Sequence, residues 1–209
     1  MKAKSLILVS AGSLLFAACD NPADKTTKAT VGEAVAVAAP ATAVAGTKYV
    51  LTANSEILFV GSKVTGSHHG GFKTFTGSFT VADNALVGTG QKIVIDMNSL
   101  WTDTDKLTGH LKSEDFFNVA KYPQSSFELT ALKPATAGSF EVSGNLTINA
   151  ASKNITFPAS VSVAEGKSKI DAKFNINRKD FGIVYAGKAD DLIRNEVVIE
   201  LKLEAAPEH

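Results

Sequence analysis

The feature that most constrains this chain is an alternation of period two in four runs, residues 139–149, 154–164, 168–177 and 195–204. In residues 139–149 the even positions Phe140, Val142, Gly144, Leu146 and Ile148 are apolar or small. Ser139, Glu141, Ser143, Asn145, Thr147 and Asn149 between them are polar. Successive side chains of a strand point to opposite faces, so this run predicts a strand with one dry and one wet face. Residues 154–164 repeat the pattern with Ile155, Phe157, Ala159, Val161 and Val163, and residues 168–177 with Ile170, Ala172, Phe174 and Ile176. In residues 195–204, Val197, Ile199, Leu201 and Leu203 stand opposite Glu196, Glu200, Lys202 and Glu204. Upstream strands are expected at 74–82 (Phe75, Phe79 and Val81 inward), 91–97 (Ile93, Ile95, Met97) and 126–132 (Phe127, Leu129, Ala131), with one or two more in 49–60. Turn-forming breaks at 83–84, 137–138, 149–153 and 165–166 separate them. The total is about eight, and about eight long strands with short connections predict an all-β fold, an antiparallel sheet closed on itself, because closure removes exposed edges.

Between the strands, residues 98–124 lose the period of two. Leu100, Leu107, Leu111, Phe116 and Phe117 fit one or two short helices, with Ser113 as an N-cap and Glu114 and Asp115 in a first turn. Tyr122-Pro123 ends them. Such a segment is expected to lid one end of the barrel through Phe116 and Phe117. An outer-membrane barrel also alternates, but charges of both signs recur at mid-strand and the twelve Phe form no girdles at strand ends, which favours a barrel in water with a dry interior.

Composition narrows the function. Lys plus Arg (21) balance Asp plus Glu (21) over 209 residues, so no basic field draws nucleic acid. The single cysteine excludes an internal disulfide framework and a multi-cysteine metal site. No Gly-x-Ser-x-Gly elbow, His-Glu-x-x-His pair or glycine-rich dinucleotide loop is present, so a non-enzymatic protein without a cofactor is expected. Asp103, Asp105 and Glu114 have calcium-loop spacing, but Leu107 and Thr108 fall where a ligand and a glycine are required. His68 and His69 are adjacent, would point to opposite faces of a strand, and are not expected to share a metal. Asp190, Asp191, Arg178 and Asp180 suit surface ion pairs in loops and turns.

Residues 1–18 read as a signal peptide: Lys2 and Lys4, an apolar stretch from Leu6 to Phe16, then Ala17-Ala18. Leu15-Phe16-Ala17-Ala18-Cys19 resembles a bacterial lipobox, which implies acylation of Cys19 as the first residue of a lipid-anchored periplasmic protein; the alternative is an ordinary secretory signal with a stray thiol. Removing the signal leaves 19 basic against 21 acidic residues, a mature charge of −2. Asp20 resembles an inner-membrane retention signal. Residues 19–46 hold nine Ala and no aromatic residue, and read as a flexible tether with an r.m.s. span of about 30 Å. The folded domain is expected over 47–209.

Several motifs together resemble the YceI-like family: Val64-Thr65-Gly66-Ser67-His68-His69-Gly70-Gly71-Phe72, then His110-Leu111-Lys112-Ser113-Glu114-Asp115-Phe116-Phe117-Asn118-Val119 with Tyr122-Pro123. Gly144-Asn145-Leu146-Thr147-Ile148, Ile155-Thr156-Phe157-Pro158 and Asn177-Arg178-Lys179-Asp180-Phe181-Gly182-Ile183 complete the set. The similarity covers about residues 48–203, and the lipobox departs from the many secreted members. The resemblance implies an extended lipocalin-like barrel whose tunnel holds a polyisoprenoid or isoprenoid quinone, for storage, transfer or sensing. Alternation alone leaves a filled core and a cavity equally open, and a structural or interaction module of the envelope with a packed core is the rival. With the resemblance, Phe79, Phe127, Leu129, Phe140, Val142, Leu146, Ile148, Ile155, Phe157, Val161, Ile170, Phe174 and Ile176 are expected along the tunnel. Gly77, Ala131, Gly144, Ala159 and Ala172 would leave room between the larger side chains. His68, His69 and Arg178 are the candidates for contact with a headgroup at the mouth.

Overall fold

The computed structural model describes residues 21–37, 45–136 and 138–208. The expected signal peptide, Cys19 and Asp20 lie outside the described residues. The strands are β1 (Thr27–Lys28), β2 (Thr30–Glu33), β3 (Thr47–Leu51), β4 (Glu56–Lys63), β5 (Gly66–Phe72), β6 (Phe75–Ala82), β7 (Ala85–Val87), β8 (Lys92–Asp96) and β9 (Leu100–Thr102). The helix α1 (Asp105–Lys112) follows, then β10 (Gln124–Pro134), β11 (Ser139–Ile148), β12 (Ala151–Ala164), β13 (Lys167–Asn177), β14 (Gly187–Lys188) and β15 (Asp191–Pro207).

Eight of these close a ring in the order β13, β12, β11, β10, β8, β6, β3, β15 and back to β13, every neighbouring pair antiparallel. The predicted closed antiparallel barrel is therefore observed. Sequence explains the sharp reversals: Asp83 (φ 50°) with Asn84 (φ 59°), and Glu165 (φ 53°) with Gly166 (φ 70°), put two left-handed residues in two-residue loops, which match strand twist. These loops mark the turn end of the barrel. Near the other end, β15 passes from β3 to β4, and β4, β5 and β9 continue the wall as a flap beyond the ring.

The helix end closes differently from the prediction in one respect. One α-helix stands among the described residues, with Thr104 as its N-cap; Ser113 ends it, its Oγ donating to the carbonyl of His110 at 2.8 Å. Residues 114–117 form turns, so Ser113 initiates no second helix. Leu111 and Phe116 are buried with Leu100 and Ile183, and Phe117 packs against them. Asn149 Nδ2 donates to the Phe116 carbonyl at 2.8 Å, tying this lid to the β11–β12 turn.

A larger departure concerns the expected tether. β12 and β13 pair only from Ser160↔Asp171 to Ala164↔Lys167 and then separate towards the helix end. Residues 27–33 enter the gap: β1 runs parallel to β13 at Thr27↔Phe174 and Lys28↔Asn175, and β2 antiparallel to β12 from Thr30↔Thr156 to Glu33↔Lys153. The physical reason is that separated strands leave unpaired N–H and C=O groups on both edges, which this Thr- and Val-containing segment satisfies. Before it, residues 22–25 form a 3-10 turn over the outer wall, where Asn175 Nδ2 donates to the Ala23 carbonyl at 3.2 Å and to Thr26 Oγ1 at 3.0 Å. This cover explains why Val198, which points away from the interior, is only 2% exposed.

Candidate functional site

The strands enclose a cavity of about 400 Å³ lined almost wholly by apolar side chains. From β10 and β11 come Phe127, Leu129, Leu132, Val142, Leu146 and Ile148; from β12 and β13, Ile155, Phe157, Val161, Ile170, Phe174 and Ile176. The opposite wall supplies Ile57 and Phe59 of β4, Phe79 of β6, Ile93 and Ile95 of β8, and Val197, Ile199, Leu201 and Leu203 of β15. Each set shares one strand face, as the alternation requires. The lining reaches from Leu86, Leu132 and Val161 near the turn end to Leu107, Leu111, Phe116 and Phe117 at the helix end.

Three rings pack side by side in the long-hairpin wall. Phe157 and Phe174 stack with centroids 4.0 Å apart and 12° between planes, and Phe127 lies tilted at 5.8 Å from Phe157. Phe127 fits there because Gly144 has no side chain: a Cβ at that position would come 2.2 Å from the Phe127 ring.

Twelve of the expected tunnel residues, Phe79, Phe127, Leu129, Val142, Leu146, Ile148, Ile155, Phe157, Val161, Ile170, Phe174 and Ile176, line the cavity. Phe140 does not: it sits opposite Pro134 and Ala159 beside the Gly138 turn and packs against the β10–β13 core from outside the lining. Ala131, expected to face inward, is also displaced. A bulge between Leu129 and Ala131 shifts the alternation by one residue, so that Leu132 takes the inward place.

Most of the polar side chains that border the cavity, Ser62, Lys63, His68, Ser125, Arg178 and Arg194, lie at the helix end, while Gln91, just before β8, borders it toward the turn end. His68 Nδ1 lies 2.9 Å from Asp103 Oδ1. His69 points to the other face, edge-on to Trp101 with centroids 6.1 Å apart, and borders no part of the cavity. Strand geometry thus removes it from the mouth. Asp103 nevertheless meets both, since its Oδ2 is 3.5 Å from His69 Nδ1 and accepts from the His69 N–H at 3.4 Å. Burial raises the Asp103 carboxyl's pKa, but the His68 hydrogen bond, the His69 N–H and the charges of both rings outweigh it and hold the carboxyl below its ordinary value. Lys63 pairs with Asp191, and that hydrogen bond, with those from Thr65, keeps the Asp191 carboxyl below the usual range. His110 is bound to Asp115 at 2.8 Å and stands edge-on to Phe116 and Tyr185.

Arg178 is not in a surface ion pair. It is 4% exposed, donating from Nε to the Arg194 carbonyl at 3.0 Å, from Nη1 to Ile183 at 2.8 Å and from Nη2 to Ile193 at 3.3 Å. These bonds engage three of the guanidinium's five N–H donors. Burial pulls its pKa below the ordinary arginine value, while the charge of Glu196 acts the other way. The result is a fixed cation in the cavity wall whose hydrogen-bonded partners are neutral carbonyls. Among the described residues no group of three His, Cys, Asp or Glu converges as a metal site would require. Lys63, Arg194 and the β4 side chains escaped the sequence reading of the site, although Ile57, Phe59 and Gly61 alternate as clearly as the downstream strands.

Several known proteins are similar to this chain in sequence or in fold. A UPF0312 protein of Pseudomonas putida strain W619 is 32% identical over 141 residues, 63% of this chain and 72% of its own length. One from Yersinia pestis strain Pestoides F is 35% identical over 122 residues, 55% of this chain, and the match spans less than two thirds (62%) of that relative. Among solved structures, Burkholderia cenocepacia BcnA superposes with a TM-score of 0.66 at 23% identity, over 74% of this chain and 98% of its own. A polyisoprenoid binding domain from Saccharophagus degradans gives 0.63 at 17% identity, over 78% of this chain and all of its own. The family model for the YceI-like domain matches residues 49–205, the whole barrel apart from the segment wedged between β12 and β13. This chain therefore belongs to the YceI-like domain family.

Proposed function

We propose that the protein is a binding protein rather than an enzyme, an envelope lipoprotein that holds a long isoprenoid lipid, a polyisoprenoid or isoprenoid quinone, in its barrel. The observation that carries this is the cavity: apolar along the strands, with most of its polar side chains at the helix end and Gln91 toward the turn end. A chain-shaped molecule with one polar head matches that distribution, and each buried CH₂ contributes roughly 0.8 kcal/mol. Strands of about ten residues, tilted as in barrels, span on the order of 25 Å, a length suited to a chain. The polyisoprenoid binding domain of the same fold supports the ligand class. Arg178 and His68 are the groups proposed to face the head.

Acylation of Cys19 and residence in the periplasm, on the inner membrane if Asp20 acts as a retention signal, complete the proposal. Its support is the lipobox-like run before Cys19. The deciding experiment is organic extraction and mass spectrometry of protein purified without detergent from its own host. A prenyl lipid is expected in stoichiometric amount. Protein that carries none, and takes up none when offered isoprenoid quinone or polyprenol, would instead be an interaction module.

A further inference from the structure

Three of the four large apolar side chains exposed among the described residues lie at the helix end: Val64 (50%), Val184 (66%) and Leu192 (49%); the fourth is Val35. They sit on connected segments. The Val64 N–H donates to the Leu192 carbonyl at 3.1 Å, Leu192 pairs with Gly187 of β14, and the Ile193 N–H donates to Ala186, two residues after Val184. Immediately inside them are Lys63, Ile193 and Arg194, which border the cavity. Scattered apolar residues on a surface are ordinary, but a group beside the polar mouth of an apolar cavity marks a contact surface.

The N-terminal segment identifies the occupant. Asn21 is 8% exposed, and its Oδ1 accepts from Ser62 Oγ at 3.3 Å, two residues before Val64 on the β4–β5 hairpin. Cys19 precedes Asn21 by two residues, a reach of about 7 Å, and Ser62 to Val64 covers a similar distance along the strand. The wedge of residues 27–33 fixes this arrangement to the barrel wall, so that in the sequence a single residue, Asp20, separates Cys19 from the described body.

We propose that the helix end is a membrane-docking surface, with Val64, Val184 and Leu192 entering the bilayer interface beside the acyl chains on Cys19 and the polar mouth of the cavity facing lipid. The inference rests on the lipoprotein reading above. Acyl chains supply the attachment and the apolar rim supplies the orientation. Because Lys63 is paired with Asp191 and the mature charge is −2, the contact needs no anionic lipid.

The test uses the acylated full-length protein, in which Cys19 is consumed, so that Val64→Cys, Val184→Cys, Leu192→Cys and Glu165→Cys each offer one free thiol. Each is labelled with an environment-sensitive fluorophore and reconstituted on phosphatidylcholine vesicles with and without spin-labelled lipid. Blue-shifted emission and at least three-fold stronger quenching at 64, 184 and 192 than at 165 are expected, unchanged by salt. Equal quenching at both ends, or stronger quenching at 165, overturns the docking geometry alone. The mass of the N-terminal peptide is read in parallel: an unmodified Cys19 would overturn the anchor and the docking together. Lipid extraction, which tests the tunnel, is independent of both.

Discussion

The wall made of β10 to β13 and the wall made of β3, β4, β5 and β9 enclose the same cavity by different means. The first consists of long strands joined by tight turns and presents an apolar face with stacked rings, its ladders interrupted only by the β10 bulge and by the gap that residues 27–33 fill between β12 and β13. The second is split where β15 changes partner, and its flap, with the α1 segment behind it, brings histidine, lysine and carboxylate side chains to one end. Regular alternation yields a bore, whereas interruption of the pattern supplies the polar groups and the closure. A binding site for an amphiphile needs both.

The comparison is broken most severely by a charge in the regular wall. Phe157→Asp places a carboxylate at a site 4% exposed among rings, and a loss of several kcal/mol is expected. Thermal denaturation should show the melting transition collapse, with no bound lipid. At the other wall, Phe116→Ala with Phe117→Ala removes the lid. Phe116 is 7% exposed, and a buried ring lost to alanine costs about 3–5 kcal/mol. Lipid release measured by stopped-flow should accelerate more than uptake, because closure acts on the bound state.

Gly144→Ala sharpens the contrast within the regular wall. Its Cβ meets the Phe127 ring, and overpacking of this kind costs about 1–3 kcal/mol. Adding Phe127→Leu should restore the melting temperature in a double-mutant cycle; no recovery would mean that the ring is not what the glycine accommodates. Arg178→Met leaves carbonyls of Ile183, Ile193 and Arg194 without their donor, and a loss of about 1–3 kcal/mol is expected. If Arg178 also meets the head, the variant's affinity for a quinone should fall more than its affinity for a head-truncated prenyl alkane.

The smallest effect is in acid. The Asp103 carboxyl is held below its ordinary value of 3.8, so its contribution is fully present above that pH and is lost as pH falls through the lower, folded-state value. Melting temperature should therefore decline below about pH 4, with a shallower decline in Asp103→Asn. Identical acid limbs for wild type and variant would remove Asp103 from the electrostatics of the mouth.

Legibility followed the same division. Residues 139–204 alternate so strictly that their inward faces were readable, because a strand offers each side chain only two directions. Ala131 departs from its expected inward place because a bulge is set by ladder geometry between strands, which local sequence does not encode, whereas Phe140 packs against the same core beside the Gly138 turn, outside the cavity lining. The lid rings Phe116 and Phe117 are visible as apolar residues that must be buried, yet Ser113 ends α1 instead of starting a second helix, because residues 114–117 fold as turns. Residues 21–37 were read from composition as a coil. Their partners lie over a hundred positions away on β12 and β13, and the splayed edges that recruit them exist only in the folded barrel.

Three of the four ladders of β15 set the order of assembly. This strand pairs with β13 along one edge and with β3 and β4 along the other, and it follows all of them in the chain. Until residues 191–207 dock, the nascent sheet has two open edges, and contacts of such long sequence separation form slowly, on millisecond-to-second timescales. The barrel therefore passes through an interval in which its apolar interior faces solvent and its edges can pair with another chain. That interval is also when a chaperone, or a lipid seeking the cavity, meets least resistance.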